Sequence, residues 1–410
     1  MTVDKSLIQN LYRTHNRPFY LYDETVMARQ ADALLGGFPG FDFLYSVKTN
    51  PLPLIVKYVV SRGFGADAAS PAEVETALAA GAKPANIYYS TPGKTRDDLE
   101  RSLDKCLIIA DSLNELAVLN QIAEERKIEV TAGLRLNPDF VMGGGAGAPN
   151  RFGVDEEIVL ARTDFFRGLK HLKINGLHIH LRSQVLDDAV LAGYYENIFE
   201  LTLKLQAALN WNLEYLNFGG GLGIPYSTAN DSPLNLTRLG SECSQMLAKY
   251  QDRLKVRRLI ETGRFIIGQA GTYATEVVDI KESRGIKYLV VRNNINGFLR
   301  PSVAELLVSA GADPAGRSLE PFFTARDAFD FNLIGPADDA PQEKVTIVGN
   351  LCAATDVMVS NIMLPKAEIG HLVTVSKAGS YSYSLSPLIF SSHLPPAQLY
   401  LDGQKNLTEA

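Results

Sequence analysis

The sequence predicts an α/β protein: a (β/α)8 TIM-type barrel followed by a C-terminal, mostly-β domain. Three observations support this fold. The chain has 410 residues, enough for two domains. From about residue 40 to 265, short apolar segments alternate with helical stretches in eight units, which favours a closed parallel barrel. Beyond residue 264, strand-like segments follow one another with few helices between them.

The predicted elements follow from apolar segments bounded by polar loops. Barrel strands are expected at Phe43–Val47, Phe64–Asp67, Ile87–Tyr89, Leu107–Ala110, Thr131–Arg135, Gly176–His180, Tyr215–Phe218 and Arg258–Glu261. Helices are expected at Pro71–Ala80, Arg96–Leu103, Leu113–Arg126, Ala189–Leu209 and Arg238–Arg253. The later strands are expected at Thr275–Ile280, Tyr288–Arg292, Ala328–Ile334, Val345–Gly349, Leu372–Ser376 and Gln398–Leu401. We assign residues 25–265 to the barrel and residues 1–24 plus 266–410 to the second domain.

Charge and hydropathy narrow the class of partner. The formal net charge is −6 and no block of like charge is present, which argues against nucleic acid or an anionic membrane. No apolar run approaches the length of a membrane span, and the N-terminus lacks the apolar centre of a signal peptide.

Cysteine and histidine usage indicates a reducing compartment and no metal. Cys106, Cys243 and Cys352 are odd in number and widely spaced, so we expect a cytoplasmic protein without a disulfide framework. The six histidines show no metal-ligand spacing. We expect His178 and His180 to point to opposite faces of a strand, which would exclude a joint ligand pair.

Unusual polar residues and glycines follow the predicted barrel strands. Catalytic groups of such a barrel lie at the C-terminal ends of its strands. The residues at these ends are Lys48, Asp67, Arg135, His180, Ser183, Gly219, Gly220, Gly221, Glu261 and Arg264. Their shared placement predicts an active site at this end of the barrel.

Lys48 and the glycine run have an ordinary and a functional interpretation. A lysine at a strand end is usually a surface residue, but desolvation at a barrel rim favours the neutral amine that forms a Schiff base. A glycine run is usually a turn, but Gly219–Gly221 exposes backbone N–H groups, and with Arg264 it favours a phosphate.

Glu261 and His180 also leave two interpretations open. A carboxylate in a barrel mouth needs a cation, so Glu261 either forms a structural salt bridge or holds a protonated pyridine nitrogen. His180 is either a packed core residue or a ring that stacks on an aromatic cofactor.

Seven sequence blocks resemble those of the fold-type III PLP-dependent decarboxylases, which include the diaminopimelate, ornithine and arginine decarboxylases. The segment Tyr45–Asn50 is similar to their Tyr-Ala-Val-Lys-Ala-Asn signature. The other blocks are Gly65–Asp67 with Ser70 and Glu73, Gly176–Gln184, Gly219–Gly221, Glu261–Arg264, Val348–Cys352 with Asp356, and Ala378–Tyr381. Two further segments, Met142 to Gly153 and Ser384–Pro387, resemble biosynthetic members such as the butirosin-pathway glutamyl-carrier-protein decarboxylase and siderophore-pathway decarboxylases.

The resemblance implies pyridoxal 5'-phosphate (PLP) as cofactor and a small-molecule or carrier-tethered amino-acid substrate. It also implies that the second domain is a β-barrel and that the protein is a homodimer with shared active sites. It implies catalytic roles for Lys48, which holds the cofactor, and for Cys352, which comes from the partner subunit. It implies that the cofactor-binding residues are Lys48, Asp67, His180, Ser183, Gly220, Gly221, Glu261, Gly263, Arg264 and Tyr381. The substrate-binding candidates are Arg300, Asp356 and Arg182.

Departures from the family pattern concern the substrate. Ala353 stands where diaminopimelate and ornithine decarboxylases carry the acid that pairs with the distal ammonium. Arg182 replaces a glycine, Thr262 a proline, and Ala304 a tyrosine of the diaminopimelate family. We therefore expect α-decarboxylation of an amino acid whose distal group is acylated, carboxylated or carrier-bound.

Three alternatives stay open. The first is a decarboxylase of diaminopimelate or another basic amino acid, in which another acid, such as Asp356 or Glu305, replaces the missing one. The second is a PLP-dependent racemase, which would need a second base facing Lys48. The third is a non-catalytic protein like the antizyme inhibitors, against which Lys48, Glu261 and Cys352 argue.

Overall fold

The computed structural model describes residues 4–227, 229–311, 322 and 327–410. These residues form two compact units. The barrel unit comprises Gln30–Gly223 and Pro233–Gly263, and the β-rich unit comprises Met1–Arg29, Ile224–Ser232 and Arg264–Ala410. The short segment Ile224–Ser232 groups with the β-rich unit, whereas the intervals predicted from the sequence include it in the barrel.

The N-terminal elements are α1 (Lys5–His15), β1 (Phe19–Asp23) and α2 (Glu24–Gly37). Asp4 caps α1, because its carboxylate accepts hydrogen bonds from the backbone N–H groups of Ser6 and Leu7.

Eight parallel strands close into a barrel, as predicted. The strands of this unit are β2 (Asp42–Ser46), β3 (Gly65–Ala68), β4 (Ile87–Tyr89), β5 (Leu107–Ala110), β6 (Val130–Asn137), β7 (Val154–Asp155), β8 (Leu172–His178), β9 (Tyr215–Asn217) and β10 (Arg257–Thr262). The order is β5-β4-β3-β2-β10-β9-β8-β6, and the β5–β6 pairing completes the ring; β7 pairs only with β6. The C-terminal ends of all eight strands therefore lie at one end of the barrel.

Helices connect the barrel strands. They are α3 (Pro53–Ser61), α4 (Pro71–Ala79), α5 (Arg96–Ser102), α6 (Leu113–Arg126), α7 (Glu156–Ala161), α8 (Thr163–Gly168), α9 (Asp188–Leu209) and α10 (Leu236–Tyr250). A capping residue precedes each of α4, α5 and α6, namely Ser70, Thr95 and Ser112 respectively. Each capping side chain accepts a hydrogen bond from a backbone N–H of the first turn. No helix in the described part of the chain is long and apolar enough to cross a bilayer.

Large side chains fill the barrel interior. Leu44, Tyr88, Ile109, Tyr215 and Leu259 form one buried cluster, with the Tyr88 and Tyr215 rings edge to face at 5.0 Å. A Cβ atom added at Gly176 would lie 2.1 Å from Cζ of Tyr215, so only glycine leaves room for this ring. The interior is therefore a packed core, and it supports the loops at the strand ends.

The β-rich unit contains a nine-stranded sheet. Its further elements are α11 (Arg264–Ile267), β11 (Gly271–Ser283), β12 (Ile286–Val291), α12 (Leu299–Ser309), β13 (Phe331–Ile334), β14 (Gln342–Val348), β15 (Val357–Pro365), β16 (Leu372–Val375), β17 (Ala397–Leu401) and β18 (Leu407–Glu409). The sheet order is β15-β14-β12-β11-β1-β17-β18, with β16 between β11 and β13. The mostly-β character of this part of the chain agrees with the prediction.

Candidate active site

Lys48 follows β2 on a single turn of 3-10 helix, Val47–Thr49. Its Nζ lies 2.6 Å from Oδ2 of Asp67, a residue of the neighbouring strand β3. The other oxygen, Oδ1 of Asp67, accepts a hydrogen bond of 2.6 Å from the hydroxyl of Ser90. The Asp67 carboxylate has no exposed surface, whereas 41% of the Lys48 side chain is exposed. The lysine thus compensates a buried charge while part of its side chain stays exposed.

Glu261 is a buried carboxylate on β10. Its Oε1 lies 3.1 Å from Nε2 of His178 and accepts a 2.9 Å hydrogen bond from Nδ2 of Asn217. Burial alone would raise the pKa of Glu261, but the nearby His178 and Lys48 hold that pKa well below its ordinary value. Glu261 is therefore an ionised acceptor that can partner a cationic ring.

His180 lies beside the glycine run that follows β9. The backbone N–H of Gly220 donates to its Nδ1 over 3.1 Å, which orients the imidazole and leaves Nε2 on the other side of the ring. Gly219 has φ +66°, and a Cβ atom there would lie 2.5 Å from the carbonyl oxygen of Ile179. Only glycine allows the chain to pass this close to the histidine.

The expectation that His178 and His180 point to opposite faces was wrong. Residues two positions apart on a strand share a face, so alternation along a strand would not have separated them. In the structure β8 ends at His178, and His180 lies beyond the strand.

The other predicted residues of the barrel unit occupy loops at the same strand ends. Arg182 is exposed and Ser183 is half-buried, and both lie in the loop after β8. A Cβ atom at Gly263 would lie 2.0 Å from Oγ1 of Thr49, so this glycine lets the end of β10 pack against the turn that carries Lys48. Gly221 accepts the backbone N–H of Val185, which links the loops after β9 and β8.

Arg135, which follows the same strand-end rule, interacts within the barrel unit. Its Nη1 lies 3.5 Å from Oδ1 of Asp111, and its guanidinium lies 4.5 Å from the centroid of the Phe152 ring. This arginine therefore anchors the segment that ends at β7.

In the β-rich unit, Arg264 and Arg300 converge on one tyrosine. The Tyr226 hydroxyl oxygen lies 3.0 Å from Nη1 of Arg264 and 3.1 Å from Nη1 of Arg300. Arg264 also lies 5.1 Å from the centroid of the Tyr381 ring, and Arg300 donates to the carbonyl oxygen of Ser380 over 3.0 Å. Two buried cations are thus held around one tyrosine hydroxyl, in a cluster whose positive charge suits an anion.

Cys352 and Asp356 lie close in the chain but differ in environment. Cys352 is exposed and not part of a disulfide, and Cys106 and Cys243 are also reduced. Asp356 is buried, and its carboxylate accepts hydrogen bonds from Nδ2 of Asn294, the N–H of Ile295 and the N–H of Leu351. Asp356 therefore holds the turn that carries Cys352, and its contact with substrate stays a prediction.

Sequence reasoning missed several residues of these two sites. His178 belongs to the Gly176–Gln184 block, so its place beside His180 was a usable signal. The positions of Ser90, Asn217 and Tyr226 are visible only in the fold, because their partners are distant in the chain.

The arrangement in the barrel unit fits a cofactor with a cationic ring and a phosphate. Glu261 is a buried, ionised acceptor, and the Lys48 side chain is partly exposed. At Gly220 an added Cβ atom would lie 3.5 Å from Cε1 of His180, so the glycine keeps space open beside that ring. These features match the residue types that PLP requires.

Comparison with known proteins identifies the family. The sequence profile described as "Pyridoxal-dependent decarboxylase, pyridoxal binding domain" matches residues 25–268. L-glutamyl-[BtrI acyl-carrier protein] decarboxylase of Niallia circulans is 29% identical over an alignment of 411 residues, gaps included. The alignment covers 97% of this chain and 92% of that protein. Diaminopimelate decarboxylase of Aquifex aeolicus is 27% identical over 390 residues, covering 92% and 85% respectively.

Solved structures share the fold. Diaminopimelate decarboxylase of Helicobacter pylori, complexed with L-lysine, superposes with a TM-score of 0.82 and 24% identity over 98% of this chain and 95% of that one. This likeness concerns the fold alone, while the profile match spans more than half of the chain. The protein therefore belongs to the pyridoxal-dependent decarboxylase family and is a PLP-dependent carboxy-lyase.

Proposed function

We propose that this enzyme removes the α-carboxylate of an amino acid whose distal group is acylated, carboxylated or carrier-bound. The observation that carries the proposal is Ala353, which offers no charge where related enzymes place an acid. A buried substrate ammonium without a partner costs several kcal/mol, about 3–5 when one member of a buried pair is removed. The similarity to an enzyme named for a carrier-bound glutamyl substrate supports the same substrate class.

The residues of the barrel unit have proposed roles in binding and orientation. Pyridoxal phosphate supplies the electron sink that makes loss of the carboxylate feasible. Lys48 attaches the cofactor, and Asp67 orients its amine. The Glu261 carboxylate accepts a hydrogen bond from the protonated ring nitrogen, and His180 covers one face of the ring.

The phosphate and the reacting carbon are served by other groups. Ser183, Gly220, Gly221, Arg264 and Tyr381 hold the phosphate through hydroxyl, backbone and guanidinium donors. Cys352 supplies a proton to the α-carbon, a role that suits an accessible thiol.

The substrate end and the assembly complete the proposal. Arg300 and Arg182 bring positive charge to the substrate side and favour a neutral or anionic distal group. Because Cys352 acts in the neighbouring subunit's site, the active unit is a two-fold homodimer.

The test measures carbon dioxide release from matched substrates. Free glutamate, lysine, ornithine and diaminopimelate are compared with their distally acylated forms and with glutamate thioester-linked to an acyl carrier protein. The proposal expects a kcat/KM at least tenfold higher on an acylated, carboxylated or carrier-bound substrate than on free lysine or ornithine. Equal or better turnover of a free diamino acid contradicts it.

Diaminopimelate decarboxylation is the second candidate. Several of the similar proteins are diaminopimelate decarboxylases, which supports this candidate. Arg300 supports it as well, because the arginine at this position in the diaminopimelate family is associated with a substrate carboxylate. A kcat/KM on diaminopimelate of about 10⁴ M⁻¹s⁻¹ or more would favour this candidate. Release of carbon dioxide also distinguishes both decarboxylase candidates from a racemase, because a racemase leaves the carboxylate of the amino acid in place.

A further inference from the structure

Tyr226 lies at the centre of the arginine cluster of the β-rich unit. Its hydroxyl oxygen accepts from Nη1 of Arg264 at 3.0 Å and from Nη1 of Arg300 at 3.1 Å, and it lies 3.1 Å from Oγ of Ser380. Tyr226 and Arg300 have no exposed surface, and only 4% of Arg264 is exposed. One buried oxygen therefore joins two buried cations.

Three groups engage the phenol oxygen in this arrangement. It accepts from the two guanidinium groups, and as a neutral hydroxyl it can donate its one proton to Oγ of Ser380. Two like charges held at low dielectric repel each other and pay a desolvation cost, and burial lowers the pKa of Arg300 accordingly. Ionisation of the phenol reduces both penalties.

The electrostatics of Tyr226 agree with this geometry. Burial alone would raise the pKa of Tyr226, but the positive charges of Arg300 and Arg264 lower it to about 7. Near neutral pH the cluster therefore exchanges between two charge states, one with a phenol and one with a phenolate.

The backbone of Tyr226 is fixed by charged residues of the same unit. Nζ of Lys377 donates to its carbonyl oxygen, and its N–H donates to Oδ2 of Asp231 over 2.9 Å. Lys377 pairs in turn with Asp330 at 3.0 Å. The neighbouring residue Ser227 donates to Asp327.

The side chains of the cluster are equally constrained. The Arg300 guanidinium lies 4.9 Å from the centroid of the Tyr226 ring and 5.0 Å from that of Phe329, while Arg264 contacts the Tyr381 ring. Among the described residues, the charged groups in contact with Tyr226 are Arg264 and Arg300 at its hydroxyl and Lys377 and Asp231 at its backbone. The titratable groups next to these are Tyr381 beside Arg264, Asp330 beside Lys377 and Asp327 beside Ser227.

We propose that Tyr226 is a positioning residue: its oxygen holds the guanidinium groups of Arg264 and Arg300 as one unit, and it takes up a proton from solvent when an anion binds to this pair. The arriving phosphate or carboxylate supplies the negative charge that the phenolate supplied before. Because like charges repel, the phenolate becomes a phenol, which keeps its hydrogen bonds to the two arginines and donates to Ser380. This inference rests on the proposed assignment of Arg264 and Arg300 to anionic groups.

The primary experiment follows the tyrosinate absorbance of the full-length, cofactor-free chain. At about pH 8, above the pKa of about 7, wild type contains one tyrosinate, because an ordinary tyrosine ionises near pH 10. Titration with sulfate, a dianion that carries no proton at this pH, removes that band, and pyridoxal phosphate removes it at lower concentration. This readout is independent of enzymatic activity.

Matched variants assign the signal. Tyr226→Phe lacks the tyrosinate band and shows no anion-dependent change. Tyr195→Phe is the control, because Tyr195 is fully buried and its hydroxyl has no hydrogen-bond partner among the described residues; it keeps the wild-type signal. Absence of tyrosinate in wild type at this pH, or a band that sulfate leaves unchanged, overturns the proposal even if Tyr226→Phe does not fold.

A second experiment tests the positioning role. The variants Arg264→Lys and Arg300→Lys and the double variant form a double-mutant cycle with wild type. The dissociation constant of pyridoxal phosphate is measured for each of the four proteins. We expect a coupling of about tenfold between the two sites, which disappears when Tyr226 is also changed to Phe. Strictly additive effects in the presence of Tyr226 contradict the proposal. If instead no amino acid releases carbon dioxide while the tyrosinate responds to sulfate, the proposed function fails and the Tyr226 inference stands.

Discussion

Asp67 joins Lys48 to Ser90: its Oδ2 lies 2.6 Å from Nζ of Lys48, and its Oδ1 accepts a 2.6 Å hydrogen bond from the Ser90 hydroxyl. Asp67 is fully buried, so each of its two contacts compensates part of the cost of burying a carboxylate. We therefore expect Ser90 to influence the position and charge of the Lys48 amine indirectly, through the Asp67 carboxylate that both residues contact.

Removal of the Ser90 hydroxyl tests this relationship. A hydrogen bond to a charged group contributes about 1.5–3 kcal/mol, so Ser90→Ala should lower kcat/KM by about tenfold or more and shift the pH midpoint of the cofactor absorbance. Ser102→Ala is the control, because its buried hydroxyl lacks a hydrogen-bond partner among the described residues. An unchanged absorbance titration in Ser90→Ala would show that Asp67 does not transmit the effect.

Lys48 is expected to be the attachment point of the cofactor. Lys48→Ala should abolish carbon dioxide release, because the alanine side chain has no amine to which the cofactor can attach. Borohydride reduction followed by peptide mapping should place the cofactor on Lys48, and the exposed Lys57 serves as the control in Lys57→Ala. Trapping at another lysine, or near-normal turnover in Lys48→Ala, would refute the assignment.

The shared active site is tested by mixing inactive subunits. Lys48→Ala and Cys352→Ala should each be inactive alone, yet a mixed dimer keeps one site with both groups. Activity should therefore return toward about a quarter of wild type as the statistical limit for exchanging dimers. Mass spectrometry of differently labelled chains verifies exchange. Mixed dimers that form and stay inactive would argue against a contribution from the partner subunit.

Substrate choice is expected to change when an acid returns at position 353. Ala353→Glu should raise kcat/KM on diaminopimelate or free lysine by about tenfold, because a carboxylate then pairs with the distal ammonium. Ala354→Glu is the matched control, since it adds the same charge at the next, exposed position. An equal gain in both variants would indicate a general charge effect instead of a specific pocket.

The Tyr226 cluster also predicts how stability depends on pH. The folded pKa of Tyr226 is about 7, below the value of about 10 of an unfolded tyrosine, so folding favours the ionised form. Its contribution is complete above about pH 10 and is lost as the pH falls through about 7. The difference in unfolding free energy between wild type and Tyr226→Phe should therefore grow from pH 7 to pH 9 in urea titrations. A difference that is constant over this range would contradict the ionisation.

Local pattern alone predicted most of the fold. The alternation of apolar strands and helices placed all eight barrel strands, and the segment Leu113–Arg126 matches α6 at both ends. The pattern did not reveal β1, because its pairing partners β11 and β17 lie far away in the chain. Such a strand depends on long-range pairing, which periodicity in one segment does not contain. The pattern also missed β15, although this strand pairs with its neighbour in the chain, β14.

The sequence by itself determined the family and the cofactor, because both can be recognised from residue types in short blocks of the chain. Only the tertiary structure decided which groups act together. Ser90 meets Asp67, Asn217 meets Glu261, and Tyr226 meets Arg264 and Arg300 only when distant segments converge. Charge compensation and hydrogen-bond satisfaction in a buried site are properties of three-dimensional proximity, so no spacing along the chain encodes them.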